Sequence, residues 1–108
     1  MKLWVDDIRP APDNTYIVCR SVNEAKRLIE DAEVQSSIPR MFDCNFRFNV
    51  IDIDHDAGDY AKDGGDYIKL LDWLEETGRN YPIHIHSMNP VGVQNMRRII
   101  ERNGWKEV

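Results

Sequence analysis

The chain has 108 residues, 42% of them hydrophobic, which is enough for one domain with one core and too apolar for a disordered segment. Its net charge of -5 argues against an extended nucleic-acid surface and leaves room only for a local basic site. No apolar run reaches the length of a membrane span, so no membrane partner is expected.

Lys2 to Val5 is expected to form a first strand ending in Asp6-Asp7. Residues 8 to 15 carry Pro10 and Pro12 and predict a turn-rich loop in place of a regular helix. Tyr16 to Cys19 follows as a short second strand. Ser21-Val22-Asn23-Glu24 fits a capping box, and Val22, Ala25, Leu28, Ile29 and Ala32 then recur at helical spacing, fading near Glu33. Residues 34 to 47 keep no single period. Ser36-Ser37-Ile38-Pro39 makes a break, so the stretch reads as an irregular loop or an extension of the next strand. Residues 48 to 56, Phe-Asn-Val-Ile-Asp-Ile-Asp-His-Asp, form a β-branched central strand that runs into acids and then Gly58.

Asp63 to Asp66 is expected to start a second helix. Tyr67, Ile68, Leu70, Leu71 and Leu74 mark its apolar face and Gly78 its end. Pro82 to Ser87 alternates as a fourth strand. Asn89-Pro90 caps a last helix with Val93, Met96, Ile99 and Ile100 as its buried stripe, and Gly104 stops it. Trp105 to Val108 is a short strand or a tail. Strands separated by helices imply a mostly parallel sheet in a single domain over residues 1 to 108. Cys19 and Cys44 have no metal-like spacing. With no signal peptide in view they are expected as free thiols of a reducing cytoplasm.

The chemistry gathers at strand ends. In open parallel sheets, ligands bind beyond the carboxyl ends of the strands. Asp6 and Asp7 end the first strand, Asp54, His55 and Asp56 the central one, and His86 and Ser87 the fourth. All three histidines of the chain, His55, His84 and His86, fall on or near these ends. Crowded carboxylates repel, so a cation, a shared proton or a chemical task explains them best. His84 and His86 lie two apart, on one face of their strand and about 6–7 Å from each other. Asp52 and Asp54 show the same spacing. If the two strands are neighbours, Asp–His pairs form across them and the carboxylate orients the imidazole. Arg9 suits a phosphate or the acids beside it, and Ser87 to Asn89 lead into a helix N-terminus that favours an anion. Asp52 and His84 are equally compatible with structural hydrogen bonding, and Trp4, Trp73 and Trp105 with packing.

Asp6-Asp7, Asp54 and Ser87 resemble the acidic pair, the phosphoacceptor Asp and the Ser or Thr of response-regulator receiver domains. The receiver's Lys near a fifth strand has no counterpart here, and the proline-rich loop replaces its first crossover helix. A narrower resemblance is to the cyclic-phosphate processing receiver-like family. It rests on Leu3-Trp4-Val5-Asp6-Asp7-Ile8-Arg9-Pro10-Ala11-Pro12, then Asp54-His55-Asp56, then His84-Ile85-His86-Ser87-Met88-Asn89-Pro90-Val91-Gly92. Ala57, where a larger apolar residue is expected, and the stretch 34 to 47 depart from that pattern.

The resemblance implies a receiver-like, flavodoxin-like three-layer sandwich with its first crossover helix reduced to a loop. It also implies a phosphoesterase that processes cyclic phosphates of nucleotide or RNA-end type. His84 and His86 would be acid and base, assisted by Asp54 or His55. Asp6, Asp7, Asp54 and Asp56 would hold a divalent ion, Mg or Mn by their oxygen chemistry. Arg9, Ser87 and Asn89 would bind phosphate. The alternative from the same residues is a non-enzymatic receiver-like module that binds phosphate or metal and signals to a protein partner the sequence does not name.

Overall fold

The computed structural model describes residues 1–37 and 47–108. Expectations for most of the stretch 34 to 47, and for Cys44, therefore lie outside the described residues.

The strands are β1 (Lys2–Val5), β2 (Tyr16–Cys19), β3 (Val50–Ile53) and β4 (Ile83–Ile85). All pair in parallel, in the order β2-β1-β3-β4. The C-terminal tail continues the sheet by a single parallel bridge, Glu107 to Ile83. There the Ile83 N–H donates to the Lys106 carbonyl at 2.8 Å and the Val108 N–H to the Ile83 carbonyl at 2.9 Å.

Helices α1 (Val22–Ser37), α2 (Ile68–Glu76) and α3 (Pro90–Asn103) follow β2, β3 and β4 in turn, and a 3₁₀ turn over Gly58–Lys62 precedes α2. Two boundaries differ from the sequence reading. Helix α1 runs past Glu33 to Ser37, since no breaker intervenes before Pro39 and Glu33 is held by Arg79 and Tyr81. Regular α2 starts at Ile68, because Asp63 and Asp66 are occupied in holding the preceding turn.

Side chains alternate along each strand, so the sheet has two unlike faces. Leu3, Val5, Cys19, Ile51, Ile53 and Ile83 are fully buried in one cluster with the apolar stripes of the helices. Val22, Ala25 and Ile29 come from α1, Leu70, Leu71 and Leu74 from α2, and Met96, Ile99 and Ile100 from α3. The other face carries Lys2, Trp4, Tyr16, Val50, Asp52 and His84. The first connection, from β1 to β2, is a loop, as expected. The remaining crossovers run in one direction along the sheet, and right-handed crossovers then fall on one side. The receiver-like α/β architecture is present, with one layer of helices among the described residues rather than the two of a full sandwich.

The helix ends are built from local chemistry. Ser21 Oγ accepts the Glu24 N–H at 3.1 Å and donates to Asp63 Oδ2 at 2.6 Å. The return bond of the capping box lands one residue early, on the Arg20 N–H at 2.7 Å. Ser21 thus ties the start of α1 to the loop before α2. Replacing Ser21 by Ala removes the cap and this tie. It is expected to lower unfolding free energy by about 1–2 kcal/mol, read from urea unfolding at neutral pH.

Candidate functional site

Asp6, Asp54 and His86 follow directly on β1, β3 and β4, and the ladder extends to hold them level. The Asp54 N–H donates to the Val5 carbonyl and the His86 N–H to the Ile53 carbonyl, both at 3.0 Å. The loop after β1 is fastened from several sides. Asp6 Oδ1 accepts the N–H groups of Ile8 at 3.0 Å and Arg9 at 2.9 Å, an Asx-type turn. The Arg9 carbonyl accepts Trp4 Nε1 and Arg20 Nη1, each at 3.0 Å. Arg9 Nη1 donates to the His86 carbonyl at 3.2 Å, joining the first and fourth strand ends.

His86 is the hub. Its Nε2 lies 2.9 Å from Asp6 Oδ2 and its Nδ1 2.6 Å from Asp52 Oδ1. Its ring stacks on Trp4 with centroids 4.0 Å apart and planes 3° from parallel. The stack fixes the ring plane, and the two carboxylates fix its rotation. Asp6 is 1% exposed and Asp52 6%, so both acids need a partner that water does not supply.

Burial works against a charged imidazole here. The hydrogen bonds and charges of Asp52 and Asp6 outweigh it and raise the His86 pKa above the ordinary histidine value. Burial likewise opposes ionisation of Asp6, but the Ile8 and Arg9 N–H donors and His86 hold its carboxyl below the usual carboxylate range. Asp7 moves the other way: burial first, then the charges of Asp6 and Asp54, push its carboxyl up.

Asp6, Asp54 and His86 each place one ligand atom within 4.8 Å of the others. The oxygens of Asp6 and Asp54 fit a divalent ion such as Mn or Mg completed by water, and the His86 nitrogen could join them only after losing its proton. Asp52 behind Nδ1 is the carboxylate support that metal-binding histidines use.

The other expected site residues are placed differently. Asp7 sits beside the cluster, and Gly58, at φ +56°, makes room for it: a Cβ there would come within 2.5 Å of Asp7 Oδ2. Asp56 is exposed and pairs through Oδ1 with His55 Nδ1 at 2.8 Å, outside the cluster. His55 packs over Gly92 at the start of α3, where any Cβ would overlap its ring. Asn89 caps α3 by accepting the Gly92 N–H at 3.0 Å, and Ser87 Oγ accepts the Asn89 N–H at 3.1 Å. His84 turns away from the strand ends, with Nδ1 2.6 Å from the Val108 main-chain oxygen.

Two partners of His86, Asp52 and Trp4, lie outside the site residues expected from the sequence. Asp52 showed through its two-residue spacing from Asp54. Trp4 had no signal beyond sheet packing.

The pH dependence of stability follows from His86. Its folded pKa is raised, so its contribution is fully present below the unfolded value of about 6.5 and is lost as pH rises through the folded value. The Asp6 contribution has the opposite sign: it is present above about pH 4 and lost as pH falls through the depressed folded value. Urea unfolding from pH 6 to 9 should therefore show stability falling with pH in the parent protein. The His86→Gln variant should show a flatter profile; an unchanged slope would mean that His86 is not the titrating group.

Among the described residues, no helix is long and apolar enough to cross a membrane. No curated protein and no solved structure gives a significant match to the chain. The family model of the cyclic-phosphate processing receiver domain does match, over residues 1–102, a span that takes in all four strands, α1, α2, all but the last residue of α3 and every member of the His86 cluster. The chain belongs to the cyclic-phosphate processing receiver domain family.

Proposed function

We propose that the protein is a phosphoesterase that opens cyclic phosphates of the nucleotide or RNA-end type. The observation that carries this reading is the convergence of Asp6, Asp54 and His86 at three strand ends, with Asp52 fixed behind the imidazole. The family name points to the same chemistry class.

Hydrolysis forms one P–O bond to water and breaks one P–O bond to a ribose oxygen. The attacking water releases a proton to solvent and the ribose oxygen gains one. His86 is assigned as the donor to that oxygen, since the acids around it raise its pKa and so favour its charged form. Stacking on Trp4 and the bond to Asp52 hold the ring while the proton leaves Nε2. Asp6 and Asp54 would hold a divalent ion, with Asp7 beside them. When bound, that ion would neutralise phosphoryl charge. Arg9 keeps guanidinium donors beyond the one spent on the His86 carbonyl, and these are assigned to the phosphate. His84, turned toward the Val108 main-chain oxygen, and His55, packed over Gly92, are assigned no step in this scheme.

A second reading is a binding module without turnover. Its support is that both nitrogens of His86 are engaged by carboxylates, a closed ion network that is stable by itself.

The deciding experiment uses nucleoside 2′,3′-cyclic phosphates against linear monoesters, with Mg or Mn supplied. Cyclic-phosphate opening that EDTA abolishes and metal restores supports the phosphoesterase; binding without product supports the module. The His86→Ala variant should lose about 10²–10⁴ in rate while keeping Mn affinity. Loss of Mn binding as well would make His86 a ligand rather than the acid. The rate should persist above the ordinary histidine range and fall as pH rises through the raised His86 value.

A further inference from the structure

The helix-free face of the sheet holds a groove of about 350 Å³, walled by Lys2, Tyr16, Val50, Asp52, His84 and Val108. All four strands and the C-terminal tail contribute to it. Its volume lies at the lower end of small-molecule sites and suits a single ring system.

The polar groups along its walls are oriented by bonds they already make. Asp52, more than nine-tenths buried, spends Oδ1 on His86. Its Oδ2 receives only a long 3.4 Å bond from the Tyr16 hydroxyl, which leaves acceptor capacity facing the groove. His84 Nδ1 lies 2.6 Å from the Val108 main-chain oxygen, so that nitrogen carries the hydrogen and Nε2 is the ring atom left open to a ligand. The Lys2 ammonium lies 5.0 Å from the Tyr16 ring centroid and makes no ion pair among the described residues. The groove thus combines a carboxylate acceptor, the open imidazole nitrogen of His84 and a cationic donor, with the Tyr16 ring and Val50 as its apolar part.

We propose that this groove binds a nucleobase, and that guanine is the base whose edge it matches. A phosphate is disfavoured by the carboxylate in the wall. Guanine presents N–H donors at N1 and N2 for Asp52 Oδ2 and His84 Nε2 and a carbonyl at O6 for the ammonium. Adenine has no carbonyl for Lys2, and uracil has one N–H between two carbonyls. Cytosine has one amino group beside two acceptors. The base could belong to the cyclic-phosphate substrate or to a separate guanine nucleotide. Only the first of these rests on the proposed phosphoesterase activity.

The test titrates guanosine, adenosine, cytidine and uridine into isotope-labelled full-length protein and follows the His84 and Tyr16 ring resonances. These probes carry no phosphate, so the result does not depend on turnover at His86. Guanosine is expected to give saturable shifts at both rings, with affinity at least about tenfold above adenosine, within the discrimination of a well-placed bidentate contact. Lys2→Ala and His84→Ala, both on the solvent side of the groove, should each weaken guanosine binding. No shift at either ring with any of the four overturns the proposal, and equal shifts with all four overturn the guanine assignment. Addition of guanosine 2′,3′-cyclic phosphate then separates the sources. Displacement of guanosine marks one molecule spanning groove and strand ends, and simultaneous occupancy marks a separate nucleotide.

Discussion

One buried bridge organises this molecule. Asp6 and Asp52 come from neighbouring strands, both almost out of contact with water, and a single imidazole lies between them. An unpaired buried carboxylate costs several kcal/mol on the order of magnitude of desolvation alone, so two of them on one sheet face need a cation. His86 supplies it, and the acids in return raise its pKa. The rest of the strand-end architecture keeps these groups in register. Trp4 fixes the ring plane, the Asx turn at Asp6 orients one carboxylate, and Arg9 ties the loop after β1 to the end of β4.

That bridge also explains how the two sheet faces divide their work. The helix-covered face is uniformly apolar and supplies the core. The other face has no helix among the described residues and carries Lys2, Tyr16, Asp52 and His84. Parallel strands are usually covered on both sides and read as apolar runs. Here the β1–β2 connection is a loop, pinned over Trp4 through the Arg9 carbonyl. It covers the end of the face near His86, and the groove lies toward the other end. Asp52 touches both regions, holding His86 with one oxygen and meeting Tyr16 with the other.

Much of the fold was legible because its signals are local. The capping residue Ser21, the Asn89-Pro90 start of α3 and the stop at Gly104 act within a turn of themselves, and the structure keeps each of them. The end of α1 is less legible, because Glu33, where the apolar spacing fades, is held by distant groups: Arg79 and Tyr81 reach it from across the chain. The start of α2 is hidden for a related reason, since Asp63 and Asp66 bond to Ser21 and to Ala57 rather than begin a helix.

By itself the sequence determined that acids and imidazoles would stand at the carboxyl ends of parallel strands, because periodicity and turn residues set where each strand stops. It could not determine which imidazole would meet which acid. Strand register places Asp52 opposite His84, yet His86, two residues on, takes its carboxylate while His84 turns to the Val108 main-chain oxygen. That choice belongs to the tertiary structure. It depends on the tail lying beside β4, on Trp4 offering a flat surface to one ring only, and on Asp6 arriving from another strand to bind the far nitrogen.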